Sequence, residues 1–196
     1  MDTIRVFIAI ELAHDILSKI GRLQTRMKQD IPKGLVRWVR PEGIHLTLKF
    51  LGDAPASRVA DIAGAMRSAC VSVPAFGVEI GGLVCFPNTG RPRVIWVGVD
   101  EPRAILTRLH ERIDRHMAGL GFPPEKRPFN PHLTLGRVKG RNREQAQALG
   151  EYVARGKARV GHIEIASVGL IRSELLPGGA VYTRLAQAPL GVEAAP

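Results

Sequence analysis

The amino-acid sequence predicts an α+β protein in which two antiparallel sheets flank a central groove, with helices on their outer faces. Two observations indicate that this two-lobed fold is internally duplicated. The tetrad His-Leu-Thr-Leu occurs at residues 45–48 and again, letter for letter, 87 residues later at 132–135. A similar apolar strand pattern begins at Phe7 and at Val94, which are also 87 residues apart. Matching offsets at two points are typical of a repeated unit.

The first half of the chain contains alternating strand and helix patterns. Apolar runs and strict alternation predict strands, and apolar residues at helical spacing predict helices. Pro32-Lys33-Gly34 interrupts the first helix, and Pro41-Glu42-Gly43 makes a turn. Gly52-Asp53 is expected to end the third strand. The predicted strands are 5–10, 36–40, 44–51 and 76–86, and the predicted helices are 14–28 and 56–70.

The second half repeats this plan. The predicted strands are 94–99, the second tetrad, 160–171 and 181–186, and the predicted helices are about 101–120 and 143–155. The tail from Pro189 is expected to be loose. No linker rich in Pro, Gly or Ser separates the halves, so a single rigid domain is expected over residues 1–196. Its two pseudo-symmetric lobes are about 1–90 and 91–188, with strand exchange between them allowed.

Composition and charge narrow the function classes. The 196 residues carry a formal net charge of +10, which indicates either a solvated basic surface or a polyanionic partner such as nucleic acid. Cys70 and Cys85 have a spacing that fits neither a zinc site nor a disulfide framework, so buried reduced thiols are expected. The first twelve residues are too short and too soon charged for a signal peptide, and no apolar run is of membrane-spanning length. The expected location is therefore cytoplasmic.

Each tetrad has the alternation of a half-buried strand. Its two leucines would enter the core, while His45 and Thr47, or His132 and Thr134, would lie side by side on the other face. Two ordinary amphipathic strands with solvated polar faces are the alternative interpretation. An exact repeat of four residues is improbable by chance, so that alternative is the weaker one.

Two imidazoles facing one another across a groove suit general acid–base chemistry near neutral pH. In an in-line displacement at phosphorus, one takes a proton from water and the other gives a proton to the leaving oxygen. The two threonine hydroxyls can donate hydrogen bonds to the non-bridging oxygens. A metal hydrolase would need a cluster such as His-Glu-x-x-His, which the sequence lacks, so chemistry without metal or cofactor is expected.

The residues around the tetrads resemble a known family. Arg37–Gly52 looks like the first-motif region of the bacterial and archaeal RNA 2′,3′-cyclic phosphodiesterases, first described as 2′-5′ RNA ligases. Pro131–Arg137 is similar to their second motif, and Arg5–Leu12 and Ser173–Leu185 also resemble that family. The family lies within the two-histidine phosphoesterase superfamily, named for paired His-x-Thr-x motifs. The resemblance spans essentially the whole chain.

The resemblance implies a reaction and a set of site residues. The activity would be hydrolysis of an RNA 3′-terminal 2′,3′-cyclic phosphate to a 2′-phosphomonoester, without a metal. His132 would be the proton acceptor that activates water, and His45 would donate a proton to the leaving group. Thr47 and Thr134 would hold the phosphate, with Arg137 as a further phosphate ligand.

Strict alternation conflicts with that role of Arg137. It would place Arg137 on the face opposite His132 and Thr134, unless the strand bulges after Gly136. The same alternation puts Lys49 on the His45 face, where it could meet substrate.

Other residues near the motifs are weaker candidates. Arg37, Arg40 and Arg127 could line the RNA path, with solvated surface charge as the competing interpretation. Phe7 and Phe50 are expected in the core.

Partner and activity classes follow from these expectations. The partner would be RNA with a 2′,3′-cyclic phosphate end, or small cyclic nucleotides. The protein would act as a monomer and would have no membrane contact. Two alternatives stay open: reversible 2′-5′ RNA ligation in the same site, and an RNA-binding module without chemistry. A binding module has no need for two histidines, so the intact tetrads argue against it.

Overall fold

The computed structural model describes residues 2–101, 104–139, 142–177 and 179–191. These residues form nine strands and four helices. The strands are β1 Thr3–Glu11, β2 Val36–Trp38, β3 His45–Pro55, β4 Phe76–Phe86, β5 Val94–Asp100, β6 His132–Val138, β7 Arg159–Ile165, β8 Ser167–Leu176 and β9 Gly179–Pro189. The helices are α1 His14–Asp30, α2 Val59–Cys70, α3 Ile105–Gly119 and α4 Arg143–Arg155.

The strands form two antiparallel sheets, which confirms the predicted fold class. Sheet A has the strand order β3-β1-β8-β9, and sheet B has the order β2-β6-β5-β4-β7. Each tetrad opens a strand, β3 in sheet A and β6 in sheet B. Among the described residues, no helix is long and apolar enough to cross a membrane.

The two sheets exchange strands between the halves of the chain. β4 from the first half pairs with β5, and β8 from the second half pairs with β1. The order β3-β1-β8-β9 in sheet A therefore matches β6-β5-β4-β7 in sheet B. Each sheet takes strands from both halves, so the halves are adjacent along the chain but interleaved in space.

Two predicted strand boundaries are wrong. β3 does not end at Gly52 but continues to Pro55, because Gly52 adopts a φ of 74° and accommodates a bulge opposite Val6. The run 160–171 is two strands, β7 and β8, which lie in different sheets. Its strand-like pattern of apolar and polar residues carries no signal for the residue at which the chain crosses from one sheet to the other.

The helix boundaries differ less. The predicted helix 56–70 begins with a single 3₁₀ turn before α2 starts at Val59. The predicted helix 101–120 is α3, which starts at Ile105, and residues 102–103 lie outside the described residues. Residues 192–196 of the expected loose tail also lie outside them, and Pro189 is the last residue of β9.

One large core joins both sheets to all four helices. On β1, Ile4, Val6, Ile8 and Ile10 enter this core. The opposite face of the same strand carries a separate small cluster of Phe7, Ala9 and Ile171. Sheet A is therefore apolar on both faces near its centre, and its second face is the one that carries the tetrad's polar side chains.

Candidate active site

The structure brings the two tetrad-bearing strands into contact. β3 packs against β6. The two strands hold equivalent positions, because each is the first strand in the four-strand order that the two sheets share. All four tetrad leucines are buried, as the alternation predicts: Leu46, Leu48, Leu133 and Leu135. The His and Thr side chains of both tetrads remain accessible to solvent on the opposite faces.

Each tetrad ends in a β-bulge at the same position. On β3, Lys49 pairs with Ile8 and Thr47 pairs with Ala9, which leaves Leu48 without a partner. On β6, Gly136 pairs with Ile95 and Thr134 pairs with Trp96, so Leu135 is the unpartnered residue. A bulge adds one residue to one strand and reverses the alternation beyond it. The duplication therefore includes an irregularity as well as the four letters.

The second bulge turns Arg137 to the His132 face. Arg137 pairs with Val94, which is two residues from Trp96 on β5 and so shares its face with Thr134. The orientation expected from strict alternation is wrong, and the bulge that the phosphate role requires is present. His132, Thr134 and Arg137 thus lie along one face of sheet B.

The first bulge has the opposite effect on Lys49 and Phe50. Lys49 turns into the core, where it is 6% exposed, pairs with Asp114 of α3 and donates to the Pro123 carbonyl. The prediction that Lys49 lies on the His45 face is therefore wrong. Phe50 points to that face instead and is 70% exposed, so its prediction as a core residue is also wrong.

Burial and hydrogen bonding act in opposite directions on Asp114. Partial burial disfavours its charged form, but the Lys49 ammonium and the Glu125 backbone N–H donate to the carboxylate and lower its pKa. Lys49 and Asp114 are thus a charged pair that ties β3 to α3 and to the segment leading into β6.

Gln24 of α1 stabilises the second bulge. Its side chain is 1% exposed, and its amide donates to the carbonyls of Leu135 at 3.0 Å and Val39 at 2.8 Å. The Leu135 carbonyl lies in the bulge and also accepts a hydrogen bond from the Val39 backbone N–H at 2.9 Å. A Cβ on Gly136 would approach Val36 Cγ1 to 2.6 Å, so the adjacent position requires glycine. Nothing in the sequence marked Gln24, since a polar residue on a helix is usually exposed.

Both tetrad histidines make the same backbone hydrogen bond. His45 Nδ1 lies 3.0 Å from the Gly43 carbonyl, and His132 Nδ1 lies 2.7 Å from the Asn130 carbonyl. A carbonyl only accepts, so Nδ1 must carry the proton in both rings. The neutral imidazoles therefore have an unprotonated Nε2, which is the atom left to exchange protons with a ligand.

The surroundings of the two rings differ. His45 stacks on Phe7, with ring centroids 4.6 Å apart, and meets the edge of Tyr182 at 5.1 Å. Burial lowers the pKa of His45 to about 4, although its bond to the Gly43 carbonyl favours the charged form. His132 is exposed, and its ring lies 5.2 Å from Trp96.

A solvent-open pocket of about 130 Å³ adjoins His45. Tyr182 and Glu11 lie on its lining, and Glu11 accepts a hydrogen bond from Arg184 at 3.0 Å. Tyr182 was marked in the sequence only by family resemblance. Its contact with His45 depends on β9, which is far from the tetrad along the chain.

The remaining predicted basic residues lie on the surface. Arg40 is exposed just before the Pro41–Gly43 turn. Arg127 has an 83% exposed side chain that reaches Glu125 at 3.3 Å. Arg37 is exposed and lies directly across the ladder from Arg137, on the same face of sheet B.

Cysteines and metal ligands form no second site in the described part of the chain. Cys70 and Cys85 are buried and free, which confirms the expected packing role. Burial raises the pKa of both thiols to about 11, so neither is a thiolate at neutral pH. Among the described residues, no three His, Cys, Asp or Glu side chains cluster as metal ligands would.

Known proteins of the same kind match nearly the whole chain. The family model of the 2'-5' RNA ligase superfamily matches residues 15–174. A protein of Methanothermobacter thermautotrophicus named RNA 2',3'-cyclic phosphodiesterase is 36% identical over 182 residues, which is 92% of this chain and 95% of that protein. Its namesake from Aquifex aeolicus is 29% identical over 97% of this chain and 100% of its own length.

Solved structures show the same fold. A crystal structure of a Thermus thermophilus protein superposes with a TM-score of 0.79 at 28% identity, covering 96% of this chain and 100% of that one. Escherichia coli LigT, solved in complex with 3'-AMP, superposes with a TM-score of 0.78 at 24% identity, covering 96% and 99%. With the family model, the near full-length relatives and the paired tetrads in agreement, the chain belongs to the 2'-5' RNA ligase superfamily.

Proposed function

We propose that this protein hydrolyses the 2′,3′-cyclic phosphate at the 3′ end of RNA to a 2′-phosphate. The observation that carries the proposal is the pair of histidines with free Nε2 atoms on two equivalent strands, each with a threonine two residues on. The relatives named RNA 2',3'-cyclic phosphodiesterase support the same reaction, because they match nearly the full chain.

The reaction needs one proton removed and one supplied. His132 Nε2 takes a proton from water as the water oxygen attacks phosphorus. The bond from phosphorus to the 3′ oxygen breaks, and His45 gives its proton to that oxygen. Thr47 and Thr134 donate hydrogen bonds to the non-bridging oxygens, and the guanidinium of Arg137 offsets their charge as it develops.

The donor role requires His45 to be protonated first. In the free protein its pKa of about 4 keeps it neutral at pH 7. A cyclic phosphate carries one negative charge, and an anion beside a buried imidazole favours the charged form. Substrate binding is therefore the event that raises the pKa of His45 and loads it with the proton that it later donates.

The test is an assay on an RNA that ends in a 2′,3′-cyclic phosphate, in the presence of EDTA. Formation of a 2′-phosphate is expected, and His45→Ala and His132→Ala should each lower kcat by roughly 10²–10⁴. His14→Ala is the matched control, because His14 is an exposed histidine at the start of α1. Its activity should equal that of the wild type.

Other outcomes would replace this proposal. Activity that disappears with EDTA would require a metal in place of the acid–base pair. RNA that is bound and never cleaved would indicate a binding module. Joining of the cyclic end to a 5′-hydroxyl RNA, faster than hydrolysis, would make the protein a ligase, the activity for which the superfamily is named.

A further inference from the structure

Six basic side chains gather at the end of sheet B that lies beyond Thr134. Arg137 lies on β6, and Lys139 lies two residues further, just beyond the end of that strand. Arg37 lies across the ladder from Arg137. Arg91, Arg93 and Arg143 line a pocket around the same sheet end, together with Asn142, which caps α4. We call these six residues the basic strip: Arg37, Arg91, Arg93, Arg137, Lys139 and Arg143.

The strip has no internal counter-charge. Within the described residues, none of its six cations lies within salt-bridge distance of a carboxylate. In sheet A, by contrast, Arg172 and Arg184 do have carboxylate partners. Like charges directly across a ladder, as at Arg37 and Arg137, destabilise a sheet. A bound polyanion would relieve that repulsion.

The strip continues directly from the proposed phosphate site. The row that holds Arg37 and Arg137 is two residues along β5 from the row of Thr134, which is about 7 Å at ordinary strand rise. Lys139 extends the line by two more residues. A ligand that runs along the strip from Thr134 is therefore longer than one nucleotide.

An exposed aromatic side chain lies beside the cations. Phe86 pairs with Val94, which pairs on its other side with Arg137, so Phe86 belongs to the same row on the same face. Its ring is 60% exposed and is therefore accessible to a ligand. Cations that follow a backbone, with aromatic rings on which bases stack, are how proteins bind single-stranded nucleic acid without reading its sequence.

We propose that the basic strip binds the single-stranded RNA upstream of the cyclic phosphate, which makes the substrate an oligonucleotide rather than a cyclic mononucleotide. This inference rests on the proposed function for the position of the 3′ end. The RNA chain leaves the tetrads over Arg37 and Phe86 and turns round the end of sheet B to the pocket of Arg91, Arg93 and Arg143, because Arg93 precedes Val94 and so lies on the opposite face. Its phosphates are held by charge, so binding depends on salt and little on sequence.

The experiment compares two substrates, 2′,3′-cyclic UMP and a ten-nucleotide oligouridylate with a 2′,3′-cyclic end. The variants are Arg37→Gln and the double variant Arg93→Gln with Arg143→Gln. The control is Arg67→Gln with Arg115→Gln, which removes the same charge from exposed positions on α2 and α3. kcat/KM is measured from low to high salt, and binding of the 2′-phosphate product RNA is measured in parallel.

The expected result is a loss of kcat/KM on the oligonucleotide, on the order of tenfold at low salt for each strip variant. The slope of log kcat/KM against log salt should flatten by about 0.7 for each arginine removed. Activity on cyclic UMP should match that of the control. Variants that equal the control on the oligonucleotide, or that lose cyclic UMP equally, would overturn the inference.

The two proposals fail in different ways. If the wild type hydrolyses neither substrate, the proposed function fails, and binding of the product RNA still reports whether the strip holds RNA. If both substrates are hydrolysed and the strip variants behave as the control, the function stands and the strip is a solvated surface.

Discussion

The two tetrads share four letters, a strand position, a backbone hydrogen bond to Nδ1 and a bulge, yet their histidines have different surroundings. His45 is enclosed by Phe7 of β1 and Tyr182 of β9, and its pKa falls to about 4. His132 is exposed beside Trp96 of β5. Identical local sequence thus produces identical local geometry, while neighbouring strands decide how far each ring is enclosed. In the proposed mechanism the two rings have different roles, and this difference in enclosure distinguishes them.

The largest difference between His45 and His132 is expected when the leaving group of the substrate is changed. A cyclic substrate with sulfur in place of the 3′ oxygen needs no general acid, because a thiolate leaves unaided. His45→Ala should then recover to within about tenfold of the wild type, while His132→Ala should stay lower by roughly 10²–10⁴. Rates are measured in single turnovers on oxygen and sulfur substrates. Recovery of His132→Ala instead would reverse the two roles.

The residues after the bulges also differ, with Lys49 in the first and Gly136 in the second. Lys49→Met leaves Asp114 partly buried without its cation, and we expect a loss of about 3 kcal/mol in the free energy of unfolding. The double variant Lys49→Met with Asp114→Leu should recover most of the loss. Urea unfolding measures both, and a single variant as stable as the wild type would contradict a structural role for the pair.

Acid should weaken the same pair. The pKa of Asp114 is lower in the folded protein than the ordinary value of 3.8, so its stabilisation is complete above pH 3.8. It is lost as the pH falls through the folded-state pKa. Asp114→Asn should remove that part of the pH dependence from the urea midpoint.

Replacing Gln24 tests whether the second bulge depends on the buried amide of this side chain. Gln24→Leu leaves the Val39 carbonyl without that donor and the Leu135 carbonyl with only the Val39 N–H, and it should lower the free energy of unfolding by about 2 kcal/mol. In the proposed mechanism Arg137 holds the phosphate and moves no proton, so KM should rise more than kcat falls. Gln147→Leu is the control, since Gln147 is an exposed residue on α4. An unchanged KM in a folded Gln24→Leu variant would separate the bulge from phosphate binding.

The smallest effect expected of a substitution is the shift in the pKa of His45 when Tyr182 is replaced. Tyr182→Ala removes part of the enclosure that lowers the pKa of His45, so that pKa should rise from about 4 towards 6.5, by about one unit. Titration followed by NMR of the imidazole measures the shift, and Tyr152→Ala on α4 is the control. The acidic limb of kcat/KM should move upward with it, and a fixed limb would show that another group controls it.

Stability should follow the same proton. Because the pKa of His45 is lower in the folded protein than in the unfolded chain, the unfolded chain binds the proton first as the pH falls. Stability is therefore complete above pH 6.5 and decreases between pH 6.5 and 4, by roughly 3 kcal/mol. Tyr182→Ala should narrow this pH window, because it brings the folded-state pKa closer to 6.5.

Local patterning determined much of this protein by itself. Alternation placed the four tetrad leucines in the core and the His and Thr side chains on the opposite faces, since strand geometry repeats every two residues. The repeat also predicted two antiparallel sheets with equivalent strands. Alternation alone predicted the wrong face of the sheet for Lys49, Phe50 and Arg137. A bulge shifts the strand pairing by one residue, and the residue types alone do not show where a bulge occurs.

Tertiary structure decided the rest, because it depends on contacts between residues that are distant along the chain. The bulge at Leu135 is held by Gln24, which precedes it by 111 residues. The placement of β8 and β9 in sheet A brings Tyr182 to His45, and the pairing of β2 with β6 places Arg37 beside Arg137. The residue types in the sequence show which groups can take part in acid–base chemistry. Their burial, exposure and orientation depend on residues that pack beside them in space, and these residues are distant along the chain.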